Sequence, residues 1–301
     1  MKNLAASVQA RLAQRRAKTG EDFNVLLVRF CLERLLYRLS RSSHREQFVL
    51  KGAMLFALWE PTLHRVTRDL DLLGFGDPTQ ERSAAVFREL CLAEVENDGV
   101  EFDANSVKTE DIRARDEYAG IRVKLKAQIG NAIIPLQVDI GFGDALRIAP
   151  EEITFPVLLG MAAPKLRAYR RETVIAEKLE AIVKLGMINT RFKDYFDLHF
   201  LAQKFPFEGV ALSTAIAATF ECRGTRFPEG LPVGLTSAFA TDMAKIRGWE
   251  SFYRKTVTKD GVPPFTDVIQ QLGIFLEPPL VAASKGQPFN ARWESNRWTG
   301  G

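Results

Sequence analysis

The chain has 301 residues, 46% hydrophobic and 26% charged, with a formal net charge of +4 and a pI near 8.9. These values predict that most of the chain folds, as one large domain or two smaller ones, and the mild basicity permits a polyanionic partner without requiring one. Three scattered cysteines, Cys31, Cys91 and Cys222, with no CxxC pair, argue against a disulfide framework or a structural zinc site and fit a reducing cytoplasm.

Residues 1–18 carry Lys2, Arg11, Arg15, Arg16 and Lys18 with no acid, and no long apolar run follows, so no signal peptide is expected. Residues 22–40 read as an amphipathic helix, with Phe23, Leu27, Cys31, Leu35 and Leu39 recurring every four residues and Phe30 widening the stripe. Arg29, Glu33, Arg34 and Arg38 interrupt it, so it does not span a membrane. A second helix is predicted over 50–59, ending before Pro61. Residues 66–75 alternate as a strand, and a helix over 79–97 follows, stopped by Asp98-Gly99.

Two further strands are predicted. In 120–127, Ile121, Val123 and Leu125 alternate with Arg122, Lys124 and Lys126; in 133–141, Ile134, Leu136, Val138 and Ile140 alternate with Gln137 and Asp139. Beyond about residue 160 the pattern turns helical, at 171–186, 190–203, 209–221, 234–254 and 265–276. The tail from 278 is rich in proline and glycine and reads as irregular. The expected fold is therefore α+β: a mixed sheet flanked by helices over 1–160, a helical domain over 161–277, and a tail over 278–301.

In a strand, Thr67, Asp69 and Asp71 share one face, while Val66, Leu70 and Leu72 point into the core. Two carboxylates on one face repel each other, and Mg²⁺ or Mn²⁺ held with substrate phosphates resolves the repulsion. Asp-x-Asp alone is a weak signal. Upstream, Lys51-Gly52 follows Phe48-Val49-Leu50, where a glycine would let a phosphate approach backbone N–H groups. Asp139 would add a third carboxylate to the metal site or accept a proton. Arg122 and Lys124 could hold phosphate, whereas Lys126 reads as a solvated face. Lys178 falls among Val174, Ile182 and Leu185 on the apolar side of its helix, where a lysine wants an anion. Asp194 and Asp197 follow in Arg191-Phe-Lys193-Asp194-Tyr-Phe-Asp197, projecting to the side of an aromatic stripe.

Taken in order, these elements resemble the AbiEii/AbiGii nucleotidyltransferase toxins of bacterial abortive-infection and toxin–antitoxin systems, over roughly residues 20–205. The resemblance implies a DNA polymerase beta-like nucleotidyltransferase core joined to a helical domain, with an NTP as substrate, Mg²⁺ or Mn²⁺ as cofactor, and an antitoxin as partner. It implies nucleotide addition to RNA, specifically the tRNA acceptor end, in phage defence. Residue by residue, Asp69 and Asp71 would be metal ligands, with Asp139 a third. Lys51, Gly52, Thr67, Arg122 and Lys124 would line the nucleotide site, and Lys178 and Asp194 would act in catalysis. The chain departs from the family's phosphate element, which has a second glycine and a hydroxyl residue where Ala53-Met54 stand here. Two alternatives stay open: an NTP-dependent protein kinase-like toxin, and a non-catalytic RNA-binding module of the same fold.

Overall fold

The computed structural model describes residues 4–60, 65, 67–112, 120–143, 148–256 and 261–300; Lys2 and Val66 lie outside them. The chain forms two compact units, Met1–Gly143 with Pro150–Tyr169, and Asp144–Ala149 with Arg170–Gly301.

The first unit opens with α1 (Leu4–Thr19) and α2 (Phe23–Arg41). Asp22 caps α2, its side chain accepting from the N–H groups of Asn24 and Val25. The buried stripe of α2 is wider than the periodicity suggested, taking in Leu26, Leu32 and Leu36 and also Glu33, Arg34 and Arg38. Arg38 pairs with buried Asp98 at 2.7 Å, and its guanidinium lies over the Phe102 ring. Asp98 is therefore an internal counter-charge; the helix α4 (Gln80–Leu92), capped by Thr79, has already ended.

Residues 50–59 are not one helix. Phe48–Lys51 form strand β1, Gly52–Leu55 a 3₁₀ turn, and Phe56–Trp59 the single α-turn α3. The apolar triplet Phe48-Val49-Leu50 lies in the sheet interior and buries both faces, which alternation cannot reveal. Gly52 then reverses the chain at φ +74. The remaining strands are β2 (Asp69–Gly74), β3 (Glu101–Ile112), β4 (Gly120–Ile129), β5 (Ala132–Phe142), β6 (Glu151–Thr154) and β7 (Lys165–Ala168).

Among the described residues these seven strands form one mixed sheet in the order β3-β4-β5-β2-β1-β7-β6. β2 is its central strand, antiparallel to β1 and parallel to β5. Leu70, Leu72, Ile121, Val123, Leu125, Val138 and Ile140 are buried, as the alternation predicts. β6 and β7 extend this unit to Tyr169, past the expected boundary near 160, because the short, basic Lys165–Ala168 carries almost no strand signal.

The second unit holds α5 (Arg171–Leu185), α6 (Phe192–Lys204), β8 (Phe207–Glu208), α7 (Gly209–Cys222), α8 (Ser237–Thr241), α9 (Met243–Thr256), α10 (Phe265–Lys285), β9 (Arg292–Glu294) and β10 (Arg297–Thr299). The expected helix 234–254 is divided, because the Asp242 side chain caps a fresh start by accepting from Ala244 and Lys245. The tail is also more ordered than expected. α10 runs through Pro278 and Pro279 to Lys285, and β9 pairs with β8 on one side and β10 on the other. Pro279 has no N–H for the Phe275 carbonyl one turn back, and Trp298 Nε1 donates to that oxygen instead, at 3.0 Å. Trp293 Nε1 donates to Ala202 O at 2.7 Å. Among the described residues no helix is long and apolar enough to cross a membrane.

Candidate functional site

Strand register lays one row of charged residues across five strands of the sheet: Glu110, Arg122, Asp139, Asp71 and Lys51 are successive partners. Register partners share a sheet face, so this row runs along the face opposite the buried Leu70 and Val138. Its charges read minus, plus, minus, minus, plus. The one like-charged neighbour pair is Asp71 and Asp139, on strands a single ladder spacing apart, about 4.8 Å. Asp69 sits two residues back on the same face of β2, with Gln137 as its partner.

Arg122 holds Asp139 with both arms, Nε to Oδ1 and Nη2 to Oδ2, each at 2.8 Å. These bonds, with the charges of Asp139, Glu110 and Asp69, keep the guanidinium pKa above its ordinary value. Lys124 Nζ reaches Glu110 at 2.7 Å. The expected phosphate-binding pair, Arg122 and Lys124, is thus engaged by the protein's own carboxylates. Asp139 is fixed in position by its two bonds from Arg122 and by Gln137 Nε2, which donates to Oδ2 at 3.4 Å.

Gly52 closes the other side of Asp71. A Cβ built at Gly52 would fall within the Asp71 carboxylate, 2.6 Å from Asp71 Cβ. The glycine therefore serves two needs, the left-handed turn and room for the carboxylate. Lys51 Nζ lies 5.5 Å from the centre of the Tyr169 ring. Thr67 Oγ1 donates to Asp69 O at 3.3 Å, tying down the entrance to β2. The 3₁₀ turn after Gly52 is four residues long, far shorter than the helix expected there.

A cavity of about 250 Å³ borders these segments, lined by Ala53, Met54 and Thr67 and by Arg15, Glu33 and Phe155 among others. In the sequence Arg15 stands out only as part of the basic N-terminal run and Glu33 only as a break in the apolar stripe, and Phe155 not at all. The signal available was Glu33-Arg34 set inside the apolar stripe of α2. Glu33 is 1% exposed, and its Oε2 accepts from Leu158 N at 2.7 Å. Burial pushes its carboxyl up from 4.5 to about 7, against the pull of Arg34 and Arg29.

The folded protein therefore keeps a proton on Glu33 that the unfolded chain has released. Stability contributed by that proton is present below pH 4.5 and lost as pH rises to about 7. Across that window denaturation should show a loss of about 3 kcal/mol from this group, and Glu33→Gln should remove that slope. An unchanged slope in the variant would assign it elsewhere.

Lys178 and Asp194 belong to the second unit. Lys178 does find an anion, and two of them: Nζ donates to Asp194 Oδ1 at 2.7 Å and Asp197 Oδ2 at 2.8 Å. Arg191 Nε adds a bond to Asp194 Oδ2 at 2.6 Å. Asp194 and Asp197 are 1% and 0% exposed, so they form an internal ionic cluster rather than the polar side of the helix that the spacing suggested. Burial opposes the charge on Asp194, but Lys178 and Arg191 outweigh it and hold its pKa below the ordinary carboxylate value. Lys178→Met would strand these acids, and should cost about 3–5 kcal/mol in a denaturant titration. A cost under about 1 kcal/mol would show that the cluster tolerates the loss.

A mixed sheet with an Asp-x-Asp pair on its central strand, and a glycine turn fitted to the second carboxylate, has the layout of a nucleotidyltransferase. The model of the family described as nucleotidyl transferase AbiEii toxin, type IV TA system, matches residues 34–271. The chain belongs to this family of nucleotidyltransferase enzymes from toxin–antitoxin systems. Among solved structures, JHP933 from Helicobacter pylori aligns over 87% of this chain and 92% of its own, at 17% identity and a TM-score of 0.47. A second H. pylori protein, described as a "putative nucleotidyltransferase", aligns over 88% and 97%, at 17% identity and a TM-score of 0.45. No curated protein sequence matches significantly.

Proposed function

We propose that this enzyme transfers a nucleoside monophosphate from an NTP to the terminal hydroxyl of an RNA, the tRNA acceptor end, with Asp69 and Asp71 holding Mg²⁺ or Mn²⁺. The observation that carries the reading is the meeting of two carboxylates on neighbouring strands of the charged row, Asp71 beside Asp139, with Gly52 shaped around Asp71. An all-oxygen donor set suits a hard divalent cation. Among the described residues no three acidic, histidine or cysteine groups converge to hold an ion by themselves. That fits a metal whose shell is completed by phosphate oxygens and water. When bound, the metal would neutralise charge on the phosphates and on the departing pyrophosphate.

The residues divide the remaining work. Lys51 and the backbone N–H groups beyond Gly52 meet the phosphates, taking over from the hydroxyl that Ala53-Met54 lacks. Thr67 fixes the start of β2. Arg122 holds Asp139 still, and Lys124 with Glu110 completes the electrostatics of the row. A bond forms between the acceptor oxygen and the α-phosphorus, and the bond to the bridging oxygen of the β-phosphate breaks. Pyrophosphate leaves with that electron pair, and the acceptor proton passes to a carboxylate of the row or to water. Lys178 and Asp194 we assign to the stability of the helical unit. Addition to the acceptor end would block translation, and a cognate antitoxin would restrain it.

The test is incubation of the full chain with total tRNA, Mg²⁺ and each NTP labelled at the α- or the γ-phosphate. α-Label should enter RNA from at least one NTP. Absence of label in RNA, or γ-label in protein, overturns the reading.

A further inference from the structure

The cavity beside the Gly52 turn contains an unusual pairing. Glu33 Oε1 is buried, and among the described residues its contact is the ion pair with Arg34 Nη2 at 2.8 Å, without a well-formed hydrogen bond. Arg15 Nε is also buried without one, its nearest acid being Glu21 at 3.5 Å. Both residues line the same cavity. Each atom has a charged neighbour but no well-formed hydrogen bond, and an acceptor and a donor with capacity to spare in one cavity describe the complement of an entering polar group.

We propose that this cavity is a nucleobase subsite, in which Glu33 accepts from a ring or amino N–H of the base and Arg15 donates to a neighbouring oxygen or nitrogen. The walls suit a flat ring: Phe56, Phe155, Pro156 and Met54 supply apolar surface. A space of about 250 Å³ takes a base and leaves the phosphates outside. Ala53 and Thr67 put the same lining in the two segments that lead to Asp71 and Asp69. The inference rests on the nucleotide chemistry proposed above. The base could be that of the donor NTP or of the terminal nucleotide of the acceptor.

Glu33 accepts fully only when ionised. Its surroundings are Arg29 and Arg34 on its own helix, Arg15 on α1, Glu60 and Arg65 near α3, and the Leu158 N–H. With its carboxyl near 7, it is an acceptor at pH 8 and a protonated donor at pH 6. Nucleoside affinity should therefore fall about tenfold between those two values.

The experiment titrates the full chain, without metal, with guanosine, uridine, adenosine and cytidine by calorimetry. At least one should bind, and its analogue methylated at the hydrogen-bonding N–H should bind about tenfold more weakly or worse. Glu33→Gln should bind the parent nucleoside about tenfold more weakly and lose the pH dependence. Arg15→Met, checked for unchanged melting, carries the test if Glu33→Gln does not fold. No nucleoside binding, or binding indifferent to methylation and to both variants, overturns the proposal. Nucleoside binding without RNA labelling would uphold the subsite and defeat the transfer reaction. If labelling follows the nucleoside rank order, the donor base occupies the cavity; if the rank order appears in the RNA terminus used, the acceptor base does.

Discussion

Asp71→Asn should reduce nucleotide transfer by about a thousandfold while leaving the melting temperature nearly unchanged, the rate loss being on the order of 4 kcal/mol. The asparagine keeps the size of the side chain and one oxygen, so the fit against Gly52 survives. What goes is one of two adjacent negative charges, Asp71 beside Asp139, on the central strand. That removes attraction for a divalent cation, so the loss should fall on transfer far more than on stability. Asp69→Asn should behave alike. The discriminating measurement is transfer against Mg²⁺ concentration: the variant should need far more metal and still not reach the wild-type rate. Wild-type transfer by both variants would remove this pair from the chemistry.

Gly52→Ala should be nearly as damaging, by a different route. The added methyl enters space filled by the Asp71 carboxylate, and the backbone at φ +74 resists any side chain. Strain of about 1–3 kcal/mol is expected from the turn alone. Asp71 must swing away or β1 must shift, and a displacement near 1 Å at a reacting centre costs about a hundredfold in rate. Lower stability together with lower transfer sets this variant apart from Asp71→Asn, in which only transfer falls. An alanine variant that melts and transfers like wild type would show that the turn accommodates a Cβ.

Legibility followed periodicity. β2, β4 and β5 each bury one face, so their alternation stood out, and with it Asp69, Asp71, Arg122, Lys124 and Asp139 on the opposite face. β1 buries both faces, so no alternation marks it, and the helix expected over 50–59 overlaps its last two residues. β3 lies at the sheet edge with Phe102 and Val107 its only buried residues among the described ones, and its register shifts between Asp103 and Lys108, so no alternation survives to be read. Lys178 on its apolar face does need an anion, but helical spacing carries no sign that Asp194 and Asp197, on the next helix, supply it. The pairing of Arg122 with Asp139 depends on the register of two strands, which follows only once their hairpin is known. The prolines of α10 misled because the indole that satisfies the released carbonyl stands far downstream, at Trp298.

The strand order also fixes when the carboxylates can meet. β3, β4 and β5 are joined in sequence and can zip up locally, but Asp71 and Asp139 become neighbours only when β2 docks on β5, after the intervening helix and hairpin are in place. β1, which carries the Gly52 turn, closes against β7 later still, at Leu50 and Ala168. Contacts so distant along the chain form slowly and cooperatively. During synthesis, then, the carboxylate pair can come together only once the chain has been made past Asp139, and the sheet behind it gains β7 only once Ala168 follows.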